Sequence, residues 1–159
     1  MLGTSTGVAD LEGDLGKHNE VSSRVQAVVN FFGPTRLLPG NDVASKARGE
    51  VTDSAPAKLF GGAPNQRKDL ARSASPLFDV TKDDAPMIHF HGTKDGLVPF
   101  DQSVKFHAAL EQAGVGSALI TMDGAGHGFP KPKVMPLVTR FLRAQLLGDG
   151  KAPASQTVR

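Results

Sequence analysis

The 159-residue chain contains no cysteine. That absence excludes disulfides, thiolate zinc sites and a thiol nucleophile within it, and leaves the redox compartment open. No basic start followed by an apolar run stands at Met1, and no stretch approaches membrane-spanning length, so the chain reads as soluble and without a membrane partner. Runs of one charge sign are also missing. Lys plus Arg number 18 against 16 Asp plus Glu, and the basic residues are scattered. The sequence pI near 9.0 is therefore not the footprint of a nucleic-acid surface. What remains, 39% hydrophobic and 21% charged residues, is ordinary composition for one globular domain.

Apolar patterning divides that domain into alternating units. Val25 to Phe32 is a β-branched and aromatic run stopped by Gly33-Pro34, which predicts a strand covered on both faces. Residues 35–75 mix Gly, Pro, Asn and charge around short helical pieces at Pro56 to Phe60 and Gln66 to Arg72, an excursion from the sheet. Pro86 to His91 predicts a second strand, ended by Gly92, and Ser117 to Met122 a third, closed by Asp123-Gly124. Between them, Phe106, Ala109, Leu110 and Ala113 share one helical face, so Phe100 to Ala113 is predicted helical with Gly114 as its stop. Val134, Leu137, Val138, Phe141 and Leu142 repeat the pattern over Pro132 to Leu147. A short helix is expected at Val8 to Leu15, weakened by Gly13 and Gly16. Asp149 to Arg159 has no periodicity, and residues 148–159 are expected to form a disordered tail behind a domain at 1–147. The fold class this implies is α/β, with a three-layer, mostly parallel sheet of about three strands.

Ligands of such sheets gather at the carboxyl ends of the strands, and two polar loops fall there. One is His91-Gly92-Thr93-Lys94-Asp95-Gly96-Leu97-Val98-Pro99; the other is Gly124-Ala125-Gly126-His127-Gly128-Phe129. An Asp just past a strand can accept an imidazole Nδ1–H and fix its tautomer, and a His between glycines can sit on a tight, open loop. Each has a plainer reading. Lys94-Asp95-Gly96 is ordinary turn chemistry, and His127 could be a solvated loop residue. His89 and His91 share a strand face at a spacing of two, but no third ligand stands at a matching spacing, so no metal and no cofactor are expected. Phe129 could line an acyl pocket or belong to the core.

Taken in order, Leu11-Glu12-Gly13-Asp14, Ser22-Ser23-Arg24-Val25-Gln26-Ala27-Val28, Phe32-Gly33-Pro34-Thr35, Ala74-Ser75-Pro76 and the two loops resemble the C-terminal half of an α/β-hydrolase. The likeness is strongest to the bacterial feruloyl/acetyl esterase group related to prolyl-oligopeptidase-type and hormone-sensitive-lipase-type hydrolases. The resemblance covers about residue 2 to Leu147. It implies a serine esterase acting on small carboxylic esters, including feruloyl or acetyl groups on polysaccharide, with Asp95 as triad acid and His127 as base. The Gly-x-Ser-x-Gly nucleophile elbow of that family precedes everything seen here, so the nucleophile is expected outside the chain. Gly3-Thr4-Ser5-Thr6-Gly7 fits the pattern literally and makes Ser5 a candidate, yet no strand leads into it and Gly13 and Gly16 make a poor following helix.

Two functional expectations follow. One is an esterase whose acid and base lie here. The alternative is a catalytically inactive fragment of a truncated hydrolase that acts only as an oligomerising or interaction module. In either case an apolar strand edge at Val25 to Phe32, lacking the neighbour that carries the elbow, is expected to recruit a second copy or the missing N-terminal half.

Overall fold

The computed structural model describes residues 1–5, 8, 11, 16–18, 20–39 and 52–159. Among them, four parallel strands form one sheet in the order β1-β2-β3-β4: β1 Val28–Phe31, β2 Met87–Gly92, β3 Ser117–Met122 and β4 Gln156–Val158. Four α-helices accompany them: α1 Ala55–Phe60, α2 Lys68–Ser73, α3 Asp101–Gln112 and α4 Lys131–Leu147. A 3-10 turn lies at Pro76–Phe78. None of the helices described is long and apolar enough to cross a membrane.

β2 is the centre of the sheet, and all six of its residues are buried. That explains why it reads as a continuous run rather than an alternating one. Its pleat sends Ile88 and Phe90 to one face, where Ile120, Met122, Val134, Val138 and Phe141 close around them. Met87 goes to the other face, against Phe106, Leu110 and Val115. The apolar stripes predicted on α3 and α4 are thus the cover of the two faces. Burial of each such side chain stabilises the fold by about 1.5–3 kcal/mol. Helix ends follow local chemistry. Ser54 caps α1 through a 3.2 Å bond from the Ala57 amide, and Gly61 and Gly148 end α1 and α4 in the left-handed region.

Three expectations need correction. β1 is shorter than Val25 to Phe32 and is not covered on both faces: Val28, Val29 and Asn30 are half-buried and Phe31 is exposed. The ladder still takes the Phe32 amide to the Phe90 carbonyl at 2.8 Å, but Phe32 itself turns to φ 42°, which ends the extended run. Second, the tail is not without structure. Gln156, Thr157 and Val158 pair with Ile120, Thr121 and Met122, the Leu119 amide donates to Ser155 Oγ at 3.0 Å, and Arg140 of α4 donates to the Lys151 carbonyl at 2.8 Å. Ala152 and Val158 pack on the core. A three-residue edge strand held by backbone bonds leaves no periodic trace. Third, the sheet accordingly has four strands rather than about three. The helix expected at Val8 to Leu15 falls largely on residues 9, 10 and 12–15, outside those described.

Candidate active site

The two polar loops meet over the carboxyl end of β2. Gly92 makes this meeting sterically feasible. A Cβ there would stand 2.2 Å from the Ala125 carbonyl oxygen and 2.4 Å from that of Gly126, so only glycine lets the His127 loop cross the strand end. The loops are then stitched together. Lys94 N–H donates to the Ala125 carbonyl at 2.9 Å, Thr93 N–H to that of Met122 at 3.1 Å, and Gly124 N–H to Thr93 Oγ1 at 2.9 Å. Gly128, at φ 156°, follows the histidine in a conformation that side-chain-bearing residues seldom adopt.

This geometry brings Asp95 and His127 together. Asp95 Oδ2 lies 2.8 Å from His127 Nδ1; the carboxylate side chain has no exposed surface and the imidazole is 33% exposed. The other oxygen, Oδ1, accepts the Leu97 and Val98 amides at 2.8 and 2.9 Å, an Asx-type turn that orients the carboxylate before any partner is counted. Burial alone would raise the Asp95 pKa. Hydrogen bonds from the Val98 amide, His127 and the Leu97 amide, together with the histidine's charge, outweigh it and hold the group below its ordinary value. Because an ionised carboxylate only accepts, the His127 proton resides on Nδ1, which leaves the Nε2 lone pair available. That is the protonation state a general base requires.

Two contributors to the site were missed by sequence reasoning. Phe32 sets its ring 4.2 Å, centroid to centroid, from the His127 ring, and it does so from the only positive-φ non-glycine position among the described residues. Backbone of this kind persists where surrounding structure enforces it; here the Phe90 carbonyl and the Phe129 ring, edge-on at 5.4 Å, do so. Phe129 packs on the core cluster and belongs with that aromatic group. The second is His91. It is fully buried, its Nδ1 lies 2.7 Å from Ser103 Oγ, and its Nε2 lies 2.9 Å from the Val98 carbonyl and 3.2 Å from Asp95 Oδ2. The spacing of His91 from Asp95 by four residues was visible, but the Ser103 partner was not.

Beside His127 opens a cavity of about 650 Å³ walled largely by Leu37, Leu38, Pro56, Leu77, Leu97 and Val98. Gln102 of α3 forms one side of it by accepting the Thr35 and Arg36 amides, each at 2.9 Å, and Ser75 Oγ ties in Leu37 N–H at 2.7 Å. Arg36, Asp101 and Lys105 also line it, Lys105 paired with Asp101 at 2.6 Å.

Ser5 is elsewhere. Its neighbour Gly3 packs on Val28 and Met87, and the Gly3 carbonyl faces the Ala85 amide at 3.4 Å. Those residues mark the amino ends of β1 and β2, the opposite end of the sheet from His127. His89 and His91 are held by side-chain and backbone partners. Asn30 Nδ2 stands 3.2 Å from His89 Nδ1, and no group of three metal-ligating side chains gathers among the described residues.

A parallel sheet with an Asp and a His converging past the ends of adjacent strands defines this as part of an α/β-hydrolase fold. Similar architecture is found in the bifunctional GH43-CE protein of Bacteroides eggerthii, with a TM-score of 0.74 and 32% identity over 89% of this chain and 21% of that one. The propionate-bound esterase 2 of Thermogutta terrifontis gives 0.63 and 26% over 90% of this chain and 51% of that one. In sequence, the esterase LipC of Mycobacterium tuberculosis is 28% identical over 108 residues, 66% of this chain and 26% of LipC. The chain belongs to the BD-FAE family, which it matches over residues 1–110. That stretch includes Asp95 and stops short of His127. The chain therefore spans between about a fifth and a half of these relatives' lengths.

Proposed function

We propose that this chain supplies the acid and the base of a serine carboxylic-ester hydrolase, Asp95 holding His127 while His127 Nε2 takes the proton of a serine hydroxyl. The observation that carries it is the 2.8 Å contact between Asp95 Oδ2 and His127 Nδ1 at the carboxyl end of the sheet, with a cavity alongside. In the first step the serine oxygen attacks the ester carbonyl as its proton passes to Nε2. The imidazolium so formed is stabilised by the Asp95 carboxylate, and it then returns the proton to the departing alcohol. A water molecule repeats the cycle on the acyl-serine and releases the acid.

The serine belongs to a segment outside those described. Ser5 sits at the wrong end of the sheet, and among the described residues no serine hydroxyl is hydrogen-bonded to His127. Small acyl esters, including acetyl or feruloyl groups on polysaccharide, are the substrates this reading favours. Support comes from the propionate in the Thermogutta esterase, the carbohydrate esterase of gut microbiota at 30% identity and TM-score 0.62, and the cavity's apolar wall. That Thermogutta enzyme has also been seen phosphonylated by sarin, the reaction of an activated serine.

The test is hydrolysis of p-nitrophenyl acetate combined with organophosphonate labelling and peptide mapping. Turnover that requires His127, with a label on a serine other than Ser5, supports the reading. A label on Ser5, or turnover unaffected by His127→Ala, overturns it. The exposed Phe31 on β1, whose outer flank has no paired strand among the described residues, supports the second role, association through that edge.

A further inference from the structure

Residues 35–38 run along the cavity beside His127 on a backbone held by two side chains. Gln102 Oε1 accepts the Thr35 and Arg36 amides, each at 2.9 Å, and the Thr35 hydroxyl donates back to the Gln102 carbonyl at 3.1 Å. Ser75 Oγ accepts the Leu37 amide at 2.7 Å and the Leu38 amide at 3.3 Å while donating to the Ala71 carbonyl at 2.5 Å. Thr35 and Ser75 are both buried. Four successive amides are thus spent on Gln102 and Ser75, and Arg36, Leu37 and Leu38 line the cavity. An arginine set on so fixed a backbone loses less freedom when it grips a ligand.

The charge of that arginine is uncompensated. Of the other charged residues lining the cavity, Asp101 and Lys105 pair with each other at 2.6 Å, which leaves Arg36 with no carboxylate among the described residues. Its Nη2 reaches the Pro39 carbonyl only at 3.4 Å, beyond the usual range of an N–H···O bond, and the Phe78 ring centroid lies 5.9 Å from its guanidinium carbon. Its Nε is buried without a partner, so the end open to a ligand is the Nη pair. A guanidinium is a planar fork that matches a carboxylate through two parallel bonds. One positive charge among Leu37, Leu38, Pro56 and Leu77 is balanced by one negative charge; a doubly charged phosphate would bring a second, with no free cation among the described lining residues to meet it.

We propose that Arg36 is a specificity-determining residue: the cavity takes esters that bear a carboxylate, which pairs with the Arg36 fork while the ester group lies at His127. On a polysaccharide such a unit is an acylated uronic acid; with the charge on the acyl side it is the half-ester of a dicarboxylic acid. A volume of about 650 Å³ is that of an ordinary ligand pocket and holds more than an acetyl group. The role given to Arg36 rests on the reading of His127 as an esterase base, but binding is measured without turnover.

The full chain, labelled with ¹⁵N, is titrated by NMR near neutral pH and at constant ionic strength, and the Arg36 Nε–H and the Leu37 and Leu97 amides are followed. Two pairs of esters are used, each differing only in carboxylate against carboxamide. O-acetyl glucuronate is set against O-acetyl glucuronamide, with the charge on the alcohol half, and monoethyl succinate against ethyl succinamate, with the charge on the acyl half. A hydrogen-bonded charge pair is worth about tenfold or more in affinity. At least one carboxylate is therefore expected to bind about tenfold tighter than its amide, and the pair that discriminates shows which half of the ester occupies the cavity. Arg36→Leu is expected to bring the two members of that pair to equal affinity. Arg36→Lys, which keeps the charge but not the fork, is expected to fall between.

Equal affinity of carboxylate and amide in both pairs overturns the proposal, as does the absence of a saturable shift with all four compounds. So does discrimination that survives Arg36→Leu, which would assign it to Lys105. Should Arg36→Leu not fold, Arg36→Gln is read in its place. Discrimination through Arg36 in a protein with no ester turnover and no labelled serine counts against the esterase reading alone; turnover without discrimination counts against Arg36 alone.

Discussion

Acidification should destabilise this protein through one buried histidine. His89 is fully buried on β2, with Nδ1 3.2 Å from Asn30 Nδ2. The Asn30 amide cannot simply turn over, because its Oδ1 accepts the Gly33 amide at 3.0 Å. Nδ1 is therefore an acceptor, and the proton sits on Nε2, which is buried without a hydrogen-bond partner. The groups around it are the edge-on Phe106 ring at 5.4 Å and the His107 ring at 6.4 Å, with His91 two residues along the strand. Protonating Nδ1 would set one donor against another and place a charge in the core. Burial first, then repulsion from His107 and His91, lowers the pKa from 6.5 to about 4.

The sign follows from proton counts. Between pH 6.5 and about 4 the unfolded chain holds a proton on this residue that the folded chain does not, so stability falls as pH falls through that window and levels off below it. At 1.36 kcal/mol per unit, the loss is about 3 kcal/mol, with a slope of at most about 1.4 kcal/mol per pH unit. That is a large share of the 5–15 kcal/mol typical of a domain. Urea unfolding followed by circular dichroism at half-unit steps from pH 7.5 to 4 measures it. His89→Gln keeps an acceptor for Asn30 and does not titrate, so it should lack this component of the slope. Asp95, whose pKa is lowered, loses its contribution only below its unfolded value near 3.8, outside the window. Parallel loss of stability in wild type and His89→Gln between pH 6.5 and 4 would refute the reasoning.

Other expectations concern the site and the edge. In protein that turns over p-nitrophenyl acetate, Asp95→Asn should preserve the circular dichroism spectrum and reduce kcat by about 10⁴, because an amide can stabilise the wrong His127 tautomer; a loss under tenfold would contradict the role assigned to Asp95. Gly92→Ala places a methyl group 2.2 Å from the Ala125 carbonyl oxygen, so the His127 loop must move. We expect a loss of more than about 2 kcal/mol in urea unfolding and weakening of the Asp95–His127 contact by NMR; an unperturbed His127 signal would show that the crossing is not tight. Light scattering across a dilution series should show concentration-dependent mass through the flank of β1, reduced by Phe31→Lys. A monodisperse monomer at every concentration would argue against edge pairing.

Which residues became strand and helix was decided locally. The Val134, Leu137, Val138, Phe141, Leu142 stripe needs nothing but a 3.6-residue period and a core to face. The continuous apolar run of β2 likewise implies cover on both sides. The candidate acid and base were legible for a similar reason: Asp95 and His127 stand in glycine-bearing loops directly after predicted strands, and the ends of parallel strands are where a sheet presents polar groups. Tertiary structure decided the rest. The Ser103 hydroxyl that accounts for a buried His91 comes from the following helix. The left-handed turn that aims Phe32 at His127 is enforced by Phe90 and Phe129. β4 exists because β3 offers an open edge and α4 holds Lys151, and Ser5 lies at the far end of the sheet because Gly3 fits between Val28 and Met87. Each depends on pairs distant in sequence, whose contact energies exist only once the chain has folded and which leave no period along it.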